Sequence, residues 1–120
     1  MKTKNIVYGL IVIAILILVI VGVNNSRKPG KYDDFAKCLT YSNVKFYGSF
    51  QCPHCAEQKR IFGKSIKYIN YIECGPLSGP QTQICKDNHL RYYPTWEFNN
   101  TKTEDVLEVD ELSSMTGCKL

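Results

Sequence analysis

Val44-Lys45-Phe46-Tyr47-Gly48-Ser49-Phe50, followed at once by Gln51-Cys52-Pro53-His54-Cys55, decides how the chain is read. The first seven residues are rich in β-branched and aromatic side chains and predict a buried strand. From Pro53 to about Tyr68, Ala56, Lys59-Arg60-Ile61-Phe62 and Ile66 fit a helix with one apolar face, and Gly63 marks a weak point or kink. The two cysteines therefore fall where a strand ends and a helix begins. There the first thiol lies beside the unpaired N–H groups and positive dipole end of the helix, which favour thiolate over thiol. The second lies about one turn further on, within reach of the first sulfur. Pro53 suits a first helical position, where its missing N–H costs little. His54 adds a donor, or a positive charge when protonated, that tunes the first thiol. A Cys-x-x-Cys pair is also half of a zinc site, so the rest of the chain has to decide between redox and metal chemistry.

Working outward, the 120 residues are 44% hydrophobic, enough for one modest domain and a short appendage. The net charge of +4 comes from scattered lysines and arginines with no basic stripe or tail, which argues against nucleic-acid binding. Six cysteines in so short a chain suit an oxidising compartment, although spacing alone cannot choose among their pairings.

Ile6 to Val23 is an unbroken apolar run without charge. As a helix it rises about 27 Å, close to the hydrocarbon thickness of a bilayer. A cleaved signal peptide is the competing reading. The run exceeds the usual signal core, and Val21-Gly22-Val23-Asn24-Asn25-Ser26 is a poor cleavage match. The expectation is a transmembrane anchor over 1–25, a polar linker over 26–32 containing Pro29-Gly30, and a folded domain over 33–120. Basic residues flank both ends of the anchor, so they give no orientation. The cysteine content places the N-terminus in the cytoplasm and the domain on the extracytoplasmic side.

In the domain, Asp33 is positioned to cap a helix to about Tyr41, ahead of the Val44–Phe50 strand. Ile69 to Glu73 predicts a second strand, Cys74 to Pro80 a loop, and Gln81 to His89 a short helix with Thr82 near its cap. Thr95 to Phe98 predicts a third strand, Asn99-Asn100 a tight hairpin turn, and Thr103 to Leu107 a fourth strand. Asp110 is positioned to cap a last helix reaching Gly117.

That order, with Cys-x-x-Cys after the first strand and Tyr93-Pro94-Thr95 before the third, resembles the thioredoxin fold. The resemblance implies an α/β domain with a central mixed sheet of about four strands flanked by helices, here behind a single transmembrane helix. It also implies that Pro94 is cis, and that Tyr93 presents backbone groups to a substrate chain. Closer still is the thioredoxin-like domain associated with vitamin K epoxide reductase homologues. The similar wording covers Phe35-Ala36-Lys37-Cys38, Val44-Lys45-Phe46-Tyr47-Gly48, Cys52-Pro53-His54-Cys55, Phe62-Gly63-Lys64-Ser65, Gln83-Ile84-Cys85 and Tyr93-Pro94-Thr95-Trp96-Glu97. With one apolar span here, the quinone-reducing membrane partner would be another chain. Reducing thioredoxins carry a buried Asp six residues before the first active cysteine, where this chain has Phe46, and Gly-Pro between the cysteines, where it has Pro-His. Both differences favour a strongly oxidising couple.

The resemblance implies a protein thiol–disulfide oxidoreductase with Cys52 and Cys55 catalytic, no cofactor and no metal. It would donate disulfides to proteins with cysteine thiols and be reoxidised by a vitamin K epoxide reductase-like membrane protein. Cys74 and Cys85 bracket the Gly/Pro loop, and Cys38 and Cys118 fall on the first and last helices of the domain. Pairing Cys74 with Cys85 and Cys38 with Cys118 would staple the loop and tie down the C-terminus. Disulfide reduction or isomerisation on the same fold is the near alternative. A zinc module using Cys52, Cys55, Cys74 and Cys85, and a redox-inert binding module, are the distant ones.

Overall fold

The computed structural model describes residues 1–120. Helix α1, Lys2–Arg27, carries its apolar run on every side and buries none of it against the rest of the chain. Its 18-residue core has a mean hydropathy of 3.3, so the helix is long and apolar enough to cross a membrane. It continues to Arg27, past the expected start of the linker at 26.

The remaining chain builds a four-stranded mixed sheet from β1 (Lys45–Gly48), β2 (Tyr71–Glu73), β3 (Thr95–Phe98) and β4 (Thr101–Thr103). The strand order is β2-β1-β3-β4. Strands β1 and β2 are parallel, with Phe46 opposite Tyr71 and Gly48 opposite Glu73. The pairs β1–β3 and β3–β4 are antiparallel. Helices α2 (Asp33–Tyr41), α3 (Pro53–Phe62), α4 (Gln83–Asp87) and α5 (Val109–Thr116) complete the domain.

Strand β1 is central because its aromatic residues need burial on both faces. Phe46 and Tyr47 are both fully buried. Phe46 stacks on Trp96 at 4.7 Å and meets the Tyr71 ring edge-on at 5.0 Å, while Phe62 stacks with Phe35 at 6.2 Å. These rings, with Leu39, Leu107 and Leu112, form one core beneath α2 and α3. A smaller cluster of Tyr47, Cys74, Cys85 and Leu90 lies apart from it.

Several boundaries differ from the sequence expectations, each for a local reason. The first strand is confined to Lys45–Gly48, because Ser49 turns its hydroxyl to the Gly75 carbonyl at 2.6 Å. The helix from Pro53 stops at Phe62, since Gly63 adopts φ 54°, ψ −128°, and a 3₁₀ turn continues to Tyr68. Asp33 lies inside the first turn of α2, where it accepts hydrogen bonds from the Gly30 N–H at 3.0 Å and the Ser65 hydroxyl at 2.8 Å. Helix α4 is only Gln83–Asp87, and the Thr82 hydroxyl at its start donates to the Glu73 carbonyl instead of capping it. Asn99 and Asn100 both take positive φ, 48° and 61°, so the hairpin turns at once and β4 begins at Thr101 instead of Thr103. Leu107 lies beyond the sheet because Gln58 binds both its N–H and its carbonyl, each at 2.8 Å. The last helix is capped by a Glu108/Glu111 box, with Asp110 in its first turn.

Two disulfides are present. Cys38 on α2 bonds Cys118, which stands just beyond the Gly117 cap rather than on the last helix, and Cys74 bonds Cys85. Cys52 and Cys55 are free thiols.

Candidate active site

The parallel β1–β2 pair and helix α3 create the site. Where β1 ends, the chain crosses Ser49-Phe50-Gln51 and enters α3 with Cys52 at the cap position and Pro53 at its first turn. Extended geometry at Cys52, φ −83° and ψ 118°, lets its carbonyl accept the Ala56 N–H at 3.1 Å. Cys52 is 7% exposed and Cys55 1%, so the first is the less buried of the two. The Cys52 sulfur donates to the Tyr93 carbonyl at 3.6 Å, and the Tyr93–Pro94 peptide bond is cis. Four of the residues singled out in the sequence, Cys52, Cys55, Tyr93 and Pro94, thus meet at one end of the sheet.

Burial pushes the Cys55 thiol up to about 12, against the Ser49 backbone N–H and the Lys59 charge, which pull it down. The proton on Cys55 is therefore tightly held. His54 is exposed, with its Nδ1 3.8 Å from the Glu57 carboxylate one turn along α3. It borders a depression of about 400 Å³ shared with Tyr92, Pro94, Glu104 and Asp105. A second depression, of about 300 Å³, lies on the other side of Tyr93, between Cys52, Leu77, Gln81 and Arg91. The Gln81 amide anchors the Tyr93 hydroxyl, and the Gln51 side chain accepts the Leu77 N–H at 2.9 Å. The Gly/Pro loop, closed at its base by Cys74–Cys85, thereby forms one wall beside Cys52. Because Cys74 and Cys85 are bonded to each other, the four-cysteine zinc set does not assemble.

Sequence reading misses a cluster on the far side of the thiols. The Tyr71 hydroxyl donates to Glu73 Oε2 at 2.5 Å, and Glu73 Oε1 accepts the Phe50 and Gly75 N–H groups at 3.1 and 2.9 Å. Burial opposes ionisation of Glu73, but these donors and the Lys59 charge outweigh it and hold the carboxyl below its ordinary value. Burial, reinforced by the Glu73 carboxylate, pushes the Tyr71 phenol up, so it stays neutral. Lys59 sets its ammonium 3.8 Å from the centre of the Tyr71 ring. Gly48 makes room for the meeting. A Cβ there would come within 2.9 Å of the Tyr71 ring and 3.0 Å of the Cys55 sulfur. The available signal was an acid at the C-terminal end of a strand parallel to β1, where such sheets place their sites.

No protein-family model matches the chain. Over 90 residues, 71% of its length, it is 40% identical to the thiol-disulfide oxidoreductase LTO1 of Arabidopsis thaliana. The aligned region is 24% of that protein, so the chain spans about a quarter of the relative's length. In this chain six cysteines form two disulfides and one free pair.

Proposed function

We propose that this chain is a membrane-anchored thiol–disulfide oxidoreductase of thioredoxin-like fold, with Cys52 as the sulfur exchanged with substrate and Cys55 as the resolving sulfur. One observation carries the reading. Of six cysteines, the two left unbonded are those that sit together at the start of α3, the outer one bonded to the Tyr93 carbonyl beside cis-Pro94. In this reading 1–25 is the anchor, 26–32 the linker and 33–120 the catalytic domain, held on the extracytoplasmic side. Pro53 and His54 tune the outer thiol, and the Tyr93 backbone aligns the substrate chain.

In disulfide donation a substrate thiolate attacks the Cys52 sulfur of the Cys52–Cys55 disulfide. The bonding pair leaves with Cys55, and a mixed disulfide forms. A second substrate thiolate attacks the substrate sulfur of that bond and expels Cys52, so the substrate is oxidised and the enzyme becomes a dithiol. The structure corresponds to that dithiol state. Reoxidation falls to a vitamin K epoxide reductase-like membrane protein, and a shared bilayer raises the effective concentration of the two. Phe46, an apolar residue in the same core cluster as the two thiols and standing where reducing thioredoxins have a buried acid, supports donation over reduction.

The test is substrate trapping by the full chain in membranes. Cys55→Ser leaves Cys52 to form mixed disulfides that nothing inside the protein can resolve, so they accumulate and disappear on reduction. Cys52→Ser traps nothing and oxidises no dithiol. Full activity in Cys52→Ser refutes the scheme.

A further inference from the structure

Where α1 meets the domain, the structure gathers cations that the redox site does not use. The apolar run of α1 stops at Val23, and Lys64, from the turn after α3, donates to the Asn25 carbonyl two residues further on. At 1.5 Å per residue, Asn25 lies about 3 Å beyond that run and Arg27 about 6 Å. The headgroup layer on each side of a bilayer is about 5–8 Å deep, so both positions fall within it. Beside them is a depression of about 420 Å³ whose walls include Lys28, Lys31, Tyr32, Gly63 and Lys64, and no acid. Arg27, Lys28, Lys31 and Lys64 are all exposed, and none belongs to an ion pair. The acids next along the chain are engaged elsewhere, Asp33 with the Gly30 N–H and the Ser65 hydroxyl and Asp34 with Lys37 at 3.6 Å. Asp110 on α5 acts on Lys31 only at a distance, without an ion pair.

We propose that this basic depression binds the headgroups of anionic phospholipids and so seats the domain on the bilayer. The proposal rests on the reading of α1 as a membrane-spanning helix. Position fixes the occupant. A depression held at headgroup depth beside such a helix meets lipid phosphates at high local concentration, and basic side chains there are drawn to anionic lipid. The three ammonium groups can donate charge-assisted hydrogen bonds to phosphate oxygens. Tyr32, with the Lys31 ammonium 4.8 Å from its ring centre, adds an aromatic ring of the kind enriched at membrane interfaces. A headgroup with net negative charge is favoured over phosphatidylcholine, which carries its own cation beside the phosphate. The seat and the thiols lie at opposite ends of α3. Gly63 and Lys64 follow the last residue of that helix, Cys52 caps its start, and its 10 residues rise about 15 Å. Lipid thus holds the domain by one end of α3 and leaves the other, with Cys52, to substrate chains.

The test is lipid retention by the full chain in native mass spectrometry, from detergent holding equal amounts of phosphatidylglycerol and phosphatidylcholine with the same acyl chains. Each basic side chain near an anionic surface is worth about fivefold in binding, so the wild type should retain phosphatidylglycerol with a preference of about tenfold or more. Lys28→Gln, Lys31→Gln and Lys64→Gln together should bring that preference to within about twofold of unity. Lys2→Gln with Lys4→Gln, at the other end of α1, should leave it unchanged. The three lysines are exposed, so the urea midpoint of the triple variant should stay where it is. Equal retention of the two lipids by the wild type would overturn the proposal, as would a preference that survives the triple variant or vanishes with Lys2 and Lys4. A preference lost together with a lowered urea midpoint would assign the lysines to the fold and overturn it too. Full displacement by glycerol phosphate at the same concentration would make the ligand a soluble anion, again overturning it. A chain that does not float with vesicles of either lipid would instead overturn the spanning reading, and the lipid seat with it.

Discussion

Gln58 makes the most demanding prediction about what holds the site in place. Its side chain is fully buried on α3, one turn beyond Cys55. Its Oε1 accepts the Trp96 indole N–H at 3.0 Å and the Leu107 N–H at 2.8 Å, and its Nε2 donates to the Leu107 carbonyl at 2.8 Å. One amide thus joins α3 to β3 and to the segment before α5. Gln58→Leu keeps the volume and removes all three partners. Each buried group left unpaired costs about 1–3 kcal/mol. Relaxation and the gain from a buried leucine offset part of this, leaving an expected loss of about 3–5 kcal/mol, set against a total of about 5–15 for an ordinary domain. Urea denaturation of the full chain in detergent, with its disulfides intact, measures the loss directly. Trp96 is the only tryptophan and one of the three partners, so its fluorescence reports the transition. A loss below about 1 kcal/mol would mean that water or the backbone replaces the amide readily, and the account of how α3 is held would be wrong.

Two further predictions concern the same domain. Glu97 is 7% exposed, with Lys45 at 2.9 Å and Lys102 at 3.6 Å; burial opposes its charge, but the lysines prevail and lower its pKa. Its contribution is therefore present above its ordinary value of 4.5 and lost as pH falls below it. Glu97→Gln should cost about 1–3 kcal/mol at neutral pH and flatten the acid limb of stability against pH, whereas an unchanged acid limb would count against the ion pair. Loop closure ranks the two disulfides. Replacing Cys38 and Cys118, 80 residues apart, by serine should cost about 4.5 kcal/mol, and replacing Cys74 and Cys85, 11 apart, about 3. Urea midpoints showing the reverse order would shift the explanation from chain entropy to local packing.

The order of elements is legible in the sequence because hydrophobic period and turn residues are local signals. Val44–Phe50 announces a buried strand, Pro53 a helix start, and Asn99-Asn100 a tight turn, and the structure places elements at all three. Element ends are less legible, since they depend on partners from elsewhere. Thr103–Leu107 carries strand-forming residues, but Gln58 from α3 claims the backbone of Leu107 and the hairpin turn has already started β4 at Thr101. Asp33 and Asp110 have the right chemistry for caps, yet Ser65 and the Glu108/Glu111 box decide where each helix starts. The same distinction divides the site. The cysteines, Pro94 and Tyr93 stand out as local words, whereas Tyr71 comes up beside Gly48 and Cys55 only through the parallel register with β1.

The most direct test of the central claim is the reduction potential of the Cys52–Cys55 couple, measured on the full chain in detergent against glutathione buffers. A reversible two-electron couple between about −120 and −180 mV is the predicted result and agrees with disulfide donation or isomerisation. A reversible couple near about −270 mV would keep the redox site but reverse the flow of electrons. A pair that cannot be cycled at all would contradict the claim that these two thiols are the working centre of the protein.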